Sequence, residues 1–196
     1  MQKEEFLSRA IPGSTELVWI GAEPVEADAW FDLDFETGHQ PPLPATDRPV
    51  FADAVVTPGS GLPGNFIRIN AWPGFLKKNV LEIAAVQPET RKAAEQVLLA
   101  LGWQFQWVPD TVGMISPRVI SMIVNEAYFG LADNISTRDE IDVAMKLGAN
   151  YPYGPFEWSR MIGLHRIYLL LKQLSRQDER YRVAPLMEEE ITALAS

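Results

Sequence analysis

"DEIDVAMKLGANYPYGPFEWSRMIGLHRI", residues 139–167, decides the fold class of this chain. Apolar residues recur at helical spacing up to Gly148, and a glycine just past the last periodic residue is a helix stop. A loop with Tyr-Pro and Gly-Pro steps follows. Pro155 then opens a second helix, because proline in the first turn gives up only an N–H that would have no helical partner there. Gly163 closes it, and Leu164 starts a third, amphipathic helix, "LHRIYLLLKQLSRQ". Just upstream, Thr137 and Glu140 have the three-residue spacing of a capping box. "PRVISMIVNEAYFGLADN" (117–134) keeps the helical period, and "PLMEEEITALA" (185–195) predicts a short last helix. Beyond about residue 111 the chain is expected to be all helix.

Before that point the period changes. "FIRINAWPGFLKKNVLEIAA" (66–85) reads as two apolar strands, 66–71 and 79–85, around a Pro-Gly turn. Asn70 ends the first and Glu82 sits inside the second, where a buried carboxylate is costly unless something pairs with it. "VFADAVV" (50–56) and "WQFQWVPD" (103–110) predict further strands. "ADAWFDLDFE" (27–36) alternates apolar and acidic residues with the strand period of two, and Leu17–Ile20 is a short apolar run expected to be a buried strand. "QPETRKAAEQVLLALG" (87–102) predicts a helix, "TGHQPPLPATDRP" (37–49) a loop, and residues 1–10 a polar arm or helical turn.

With 196 residues, 47% of them apolar, the chain can bury a core in one or two compact units. A net charge of −9 argues against a nucleic-acid partner, although a few local cations can still hold a small anion. The absence of cysteine excludes disulfides, thiolate metal sites and a Cys nucleophile. The two histidines, His39 and His165, lie far apart, which argues against a zinc site and against a Ser-His-Asp arrangement; no metal is expected. The charged N-terminus lacks the apolar core of a signal peptide, and no run approaches the ~18 apolar residues of a membrane span. A soluble, cytoplasmic protein without a membrane partner is expected.

"GSGLPG" (59–64) matches the glycine fingerprint of dinucleotide-binding loops. That fingerprint needs a helix directly after it, whose N-terminus holds the pyrophosphate. Here strand-like residues follow, then Pro73 and Gly74, so an ordinary connection is the expected reading.

Residues 108–190 resemble, almost without gaps, the C-terminal domain of the 3-hydroxyacyl-CoA dehydrogenase family. The match runs through "TVGMISPRVISMIVNEAYFGLADNIST", the 139–167 stretch and "DERYRVAPLMEEEI". Residues 66–110 are similar to the family's segment around its catalytic histidine and glutamate, with spacing intact. "LVWIGAEP" and "PVFADAVVTPGS" look like the two strands before it. The resemblance implies a mixed α+β and α/β chain in two parts. One is a truncated Rossmann-like α/β lobe over 1–110. The other is an all-α lobe over 111–196 of the 6-phosphogluconate dehydrogenase C-terminal-like type, which in the family pairs across a two-fold axis. The first βαβ of the family's NAD domain is expected to have no counterpart, so no cofactor is expected in this chain, NAD being the family's.

The resemblance also implies roles. The family's histidine removes the substrate's 3-hydroxyl proton as hydride leaves for the nicotinamide; its position is Asn70 here. The glutamate that orients that histidine is retained as Glu82. The asparagine that holds the substrate oxygen falls on Pro117, and a serine with the same task falls near Val55 or Val56. An amide does not titrate near neutral pH, and proline donates nothing. A catalytically degenerate protein is expected, binding an acyl-CoA-like ligand or assembling as a homodimer through the helical lobe. Arg68, Lys77 and Lys78 are expected to form a basic cluster at the ligand site, with Pro155 and Phe156 beside the ligand. The alternative is an active dehydrogenase that uses Glu82 in altered chemistry or takes NAD on a separate chain.

Overall fold

The computed structural model describes residues 1–9, 11–20, 23, 25–38 and 46–194. They form two compact units, Met1–Met114 and Ile115–Ser196. The first holds α1 (Gln2–Ser8), β1 (Trp30–Asp32), β2 (Val50–Asp53), β3 (Phe66–Ile69), β4 (Val80–Ala85), α2 (Arg91–Ala100) and β5 (Gln104–Trp107). The five strands make one sheet in chain order. β1, β2 and β3 are parallel, β4 runs antiparallel to β3, and β5 is parallel to β4.

Successive strand residues point to opposite faces, so one set of apolar positions can make a core. Phe51, Ile67, Ile69, Leu81 and Ile83 share a face and pack with Phe6 of α1 and with Ala94 and Leu98 of α2. Aromatic contacts extend this layer: Phe31 stacks on Phe51 at 4.6 Å, and Phe6 meets Phe31 and Trp103 edge-on at 5.0 and 5.1 Å. The other face carries Ala52, Arg68, Asn70, Glu82 and Ala84, by the same alternation.

The N-terminal arm is the short helix α1, tied to the sheet by two side chains. The Gln2 amide nitrogen reaches Leu33 O at 3.1 Å, the Asp53 carboxylate at 2.8 Å and Ala71 O at 2.7 Å. Glu5, 2% exposed, accepts the Gly74 N–H at 2.9 Å.

Two expectations fail in this unit. Leu17–Ile20 is not a strand, and Leu17, Val18 and Trp19 are 39, 55 and 47% exposed. A run of strand-forming residues becomes a strand only where a sheet edge accepts it, and none takes these four. The alternation over 27–36 yields only a three-residue strand, because a 3₁₀ turn at Phe35–Thr37 redirects the chain.

The second unit comprises α3 (Ser116–Ala132), α4 (Arg138–Ala149), α5 (Pro155–Ile162), α6 (Leu164–Ser175) and α7 (Pro185–Leu194). Val124, Tyr128, Phe156, Ile167, Leu170, Leu171 and Met187 are its core. Thr137 and Glu140 make the reciprocal capping box, as their spacing predicts. Helix α4 runs past Gly148 and stops at Asn150, whose φ of 55° is the left-handed conformation asparagine tolerates. Among the described residues no helix is long and apolar enough to cross a membrane.

Candidate functional site

In open α/β sheets ligands sit beyond the carboxyl ends of the parallel strands. At that end of β2 the chain turns through Ala54, Val55, Val56 and Thr57, and two charged side chains grip the turn. Arg68, 0% exposed, comes from β3. Its Nε donates to Ala54 O at 2.8 Å, its Nη2 to Val55 O at 3.1 Å and its Nη1 to Thr111 O at 3.2 Å and to the Asp110 carboxylate. From the opposite side, one oxygen of the half-buried Glu36 accepts the Val56 N–H at 2.6 Å and the Thr57 N–H at 2.7 Å. Burial raises the Glu36 carboxyl above its ordinary value; the Thr57 and Val56 bonds and the Arg68 charge oppose this without cancelling it.

Asn70 and Glu82 occupy one rung of the sheet. The β3–β4 register pairs Ile69 with Ile83, and the next pair is closed by the Asn70 N–H donating to Glu82 O at 3.1 Å. Directly opposed residues of an antiparallel pair place their side chains on the same face. Asn70 is 2% exposed, and its Oδ1 accepts the Trp72 N–H at 3.4 Å, which starts the turn into Trp72–Phe75. Asparagine thus has a structural task on this rung, and its amide supplies no titrating group.

The basic cluster does not form as expected. Arg68 is enclosed, and its guanidinium is taken by three carbonyls and a carboxylate, so it is an internal clamp rather than an exposed phosphate ligand. Lys77 and Lys78 are exposed and border a surface depression of about 400 Å³ with Ser8, Arg9 and Asn79. Lys77 lies 3.9 Å from Glu5. Arg9 closes the depression by donating to Leu76 O and Lys78 O at 2.9 and 2.8 Å.

The glycine string does not fit a pyrophosphate. It folds as a 3₁₀ turn, Gly59–Gly61, and runs into β3 with no helix behind it. Side chains fill the space that its first and last glycines leave: a Cβ on Gly59 would strike the Asp110 carboxylate, and one on Gly64 would meet the Gln87 amide at 2.6 Å, while Gly61 faces open space. Val55 is buried. His165 is exposed on α6, and His39 lies outside the described residues.

In the helical unit the long motif is a self-locking helix pair. Asp142 of α4 is 3% exposed and accepts the Phe156 N–H at 2.7 Å, so its charge sits on the N-terminus of α5. A Cβ on Gly154 would collide with that carboxylate, which explains the glycine. Glu157 reaches back to the Gly154 N–H at 2.9 Å and pairs with Lys146. Pro155 and Phe156, expected beside a ligand, are core residues instead: Phe156 is 1% exposed and packs edge-on against Tyr128 at 5.2 Å, with Arg138 4.9 Å from its ring centre. Pro117 is buried in the first turn of α3, where its missing N–H costs the helix nothing.

Known proteins agree with this arrangement. Residues 113–194 match the sequence profile of the 3-hydroxyacyl-CoA dehydrogenase C-terminal domain. The helical unit is a 3-hydroxyacyl-CoA dehydrogenase C-terminal domain. It is 40% identical to the 3-hydroxyadipyl-CoA dehydrogenase of Escherichia coli over 54% of this chain and 23% of that one. It is 32% identical to the 3-hydroxybutyryl-CoA dehydrogenase of Bradyrhizobium diazoefficiens over 67% of this chain and 46% of that one. It therefore spans about a quarter to a half of the length of these relatives. Among solved structures, the (S)-3-hydroxybutyryl-CoA dehydrogenase of Ralstonia eutropha superposes with a TM-score of 0.61 at 26% identity, covering 74% of this chain and 55% of that one. The Rossmann-like sheet and the helical unit thus have the fold seen in solved 3-hydroxyacyl-CoA dehydrogenases.

Two residues with structural roles are absent from the expectations drawn from the sequence. Glu36 binds backbone N–H groups about twenty residues away, which leave no trace in side-chain spacing. Asp142 was legible: an acid inside one helix, ahead of a Gly-Pro start to the next, is a candidate cap.

Proposed function

We propose that this chain is a catalytically degenerate 3-hydroxyacyl-CoA dehydrogenase, retained as a dimeric module that binds an acyl-CoA-like ligand or assembles with a partner. One observation carries the reading: Asn70 stands on the same sheet rung as Glu82, where a base would have to be. Loss of a positioned base costs about 10²–10⁴ in rate, and loss of an oxyanion donor a similar factor again. Pro117 is no donor. The family's hydride chemistry belongs to NAD, and no step is assigned to NAD here because the glycine string does not fit its pyrophosphate. Of the expected ligand contacts, Lys77 and Lys78 remain available to a phosphate, in the depression they border. The exposed apolar side chains of the helical unit, Val119 at 54%, Val143 at 49% and Leu147 at 82%, supply surface for pairing. A cytoplasmic location completes the reading.

Titration with NADH, followed by tryptophan fluorescence, tests it. No saturable response at micromolar concentration is expected; saturable binding would support the second reading, in which the retained Glu82 serves an active enzyme. Gel filtration at tens of micromolar should give a dimer, and a clean monomer would refute the assembly part.

A further inference from the structure

Glu36 is not used by the reading above, and its geometry asks for an explanation. Two consecutive peptide N–H groups, Val56 and Thr57, converge on a single oxygen, Glu36 Oε1, at 2.6 and 2.7 Å. Two backbone donors aimed at one oxygen are the geometry by which proteins bind an oxyanion, and successive N–H groups in a turn form concave anion sites. The turn that presents them is held from behind. Arg68 donates to the carbonyls of Ala54 and Val55, at 2.8 and 3.1 Å, which fixes the two peptides just before the donor pair. The donors also lie just beyond the carboxyl end of β2, where open α/β sheets take their ligands.

A plain loop staple needs no charge. A glutamine or serine oxygen would accept the same N–H groups without carrying an ionised group into a half-buried place. The chain puts a carboxylate there, from a 3₁₀ turn twenty residues earlier in sequence.

We propose that the Val56–Thr57 peptide pair is a carboxylate-binding site that Glu36 fills from within the chain. A small organic acid binds there only by displacing Glu36, which makes this side chain an internal competitor. The inference is independent of whether the chain binds a CoA ester or NAD.

The test is chemical rescue. In Glu36→Ala the donor pair is vacated, and the amide signals of Val56 and Thr57 should lose their hydrogen-bonded proton shifts. Adding sodium formate should return both signals toward their wild-type positions along a saturable curve, and raise the variant's Tm relative to sodium chloride at equal ionic strength. The wild type should show neither response at the same formate concentration. Glu36→Ser, which leaves a small hydroxyl and free space, serves if the alanine variant does not fold. Amides that ignore formate, or that move equally with chloride, would overturn the proposal. A response to inorganic phosphate with none to formate would also overturn it, since the site would then not be one for carboxylates.

Discussion

The two units keep faith with their family in different ways. In Ile115–Ser196 the motif is intact because each of its residues holds another in place: Asp142 caps α5, Gly154 makes room for Asp142, and Glu157 returns to Gly154. In Met1–Met114 the order comes from the sheet: the β3–β4 pairing sets Asn70 opposite Glu82 on one rung, the rung on which the proposed loss of catalysis rests. Structural residues are tied to folding and change only with loss of stability. A catalytic base would carry no such tie, whereas Asn70 has a structural task, its Oδ1 accepting the Trp72 N–H that starts the turn.

That contrast can be broken most severely at Arg68. Arg68→Met strips donors from Ala54 O, Val55 O and Thr111 O and leaves Asp110 without its partner, so it should destabilise the first unit by ~3–5 kcal/mol. Urea denaturation followed by tryptophan fluorescence measures this; a loss below ~1 kcal/mol would show that the clamp is dispensable.

In the helical unit, Asp142→Ala should cost about 2 kcal/mol through the lost cap. Gly154→Ala should also destabilise, because its Cβ meets the Asp142 carboxylate. The double variant should then lose less than the sum of the two, since removing the carboxylate removes the collision. Strict additivity would mean that the two residues do not act on each other.

Thr137→Ala should cost about 1 kcal/mol, since it removes one half of the capping box on an exposed helix end.

The smallest expected effect is a slope. The Glu36 carboxyl is raised in the folded state by burial, so the folded protein holds this proton more tightly than the unfolded chain. The stability tied to this group is present at acid pH and is lost as pH rises from the ordinary glutamate value through the raised one. Glu36→Gln should therefore gain stability relative to wild type across that window. A difference that stays flat with pH would show that Glu36 titrates as it does in the unfolded chain.

The helical unit was the more legible half because its signals are local. Capping pairs, a proline in a first turn and a glycine at a helix end act within a few residues; the capping box, Pro155 and Gly163 fall where the pattern puts them, while α4 passes Gly148 and ends two residues later at Asn150. The sheet was readable where an apolar period continued, as in β3 and β4, and unreadable where a partner edge decides, as at Leu17–Ile20. Arg68 misled because an arginine near two lysines looks like one surface cluster. Strand alternation alone places it on the face with Ala52 and Asn70, and only the fold shows the carbonyls that consume its charge. The Glu36 contact was beyond reach for the same reason: its partners are main-chain groups, identical at every residue.

Turnover on the rung itself is the most direct measurement. The purified chain, given 3-hydroxybutyryl-CoA and NAD, should form no NADH above the enzyme-free rate, and Asn70→His should not restore it while Pro117 and the unfitted glycine string remain. Wild-type turnover at or above about 1 s⁻¹, within the ordinary range of enzymes, would contradict the loss of catalysis outright.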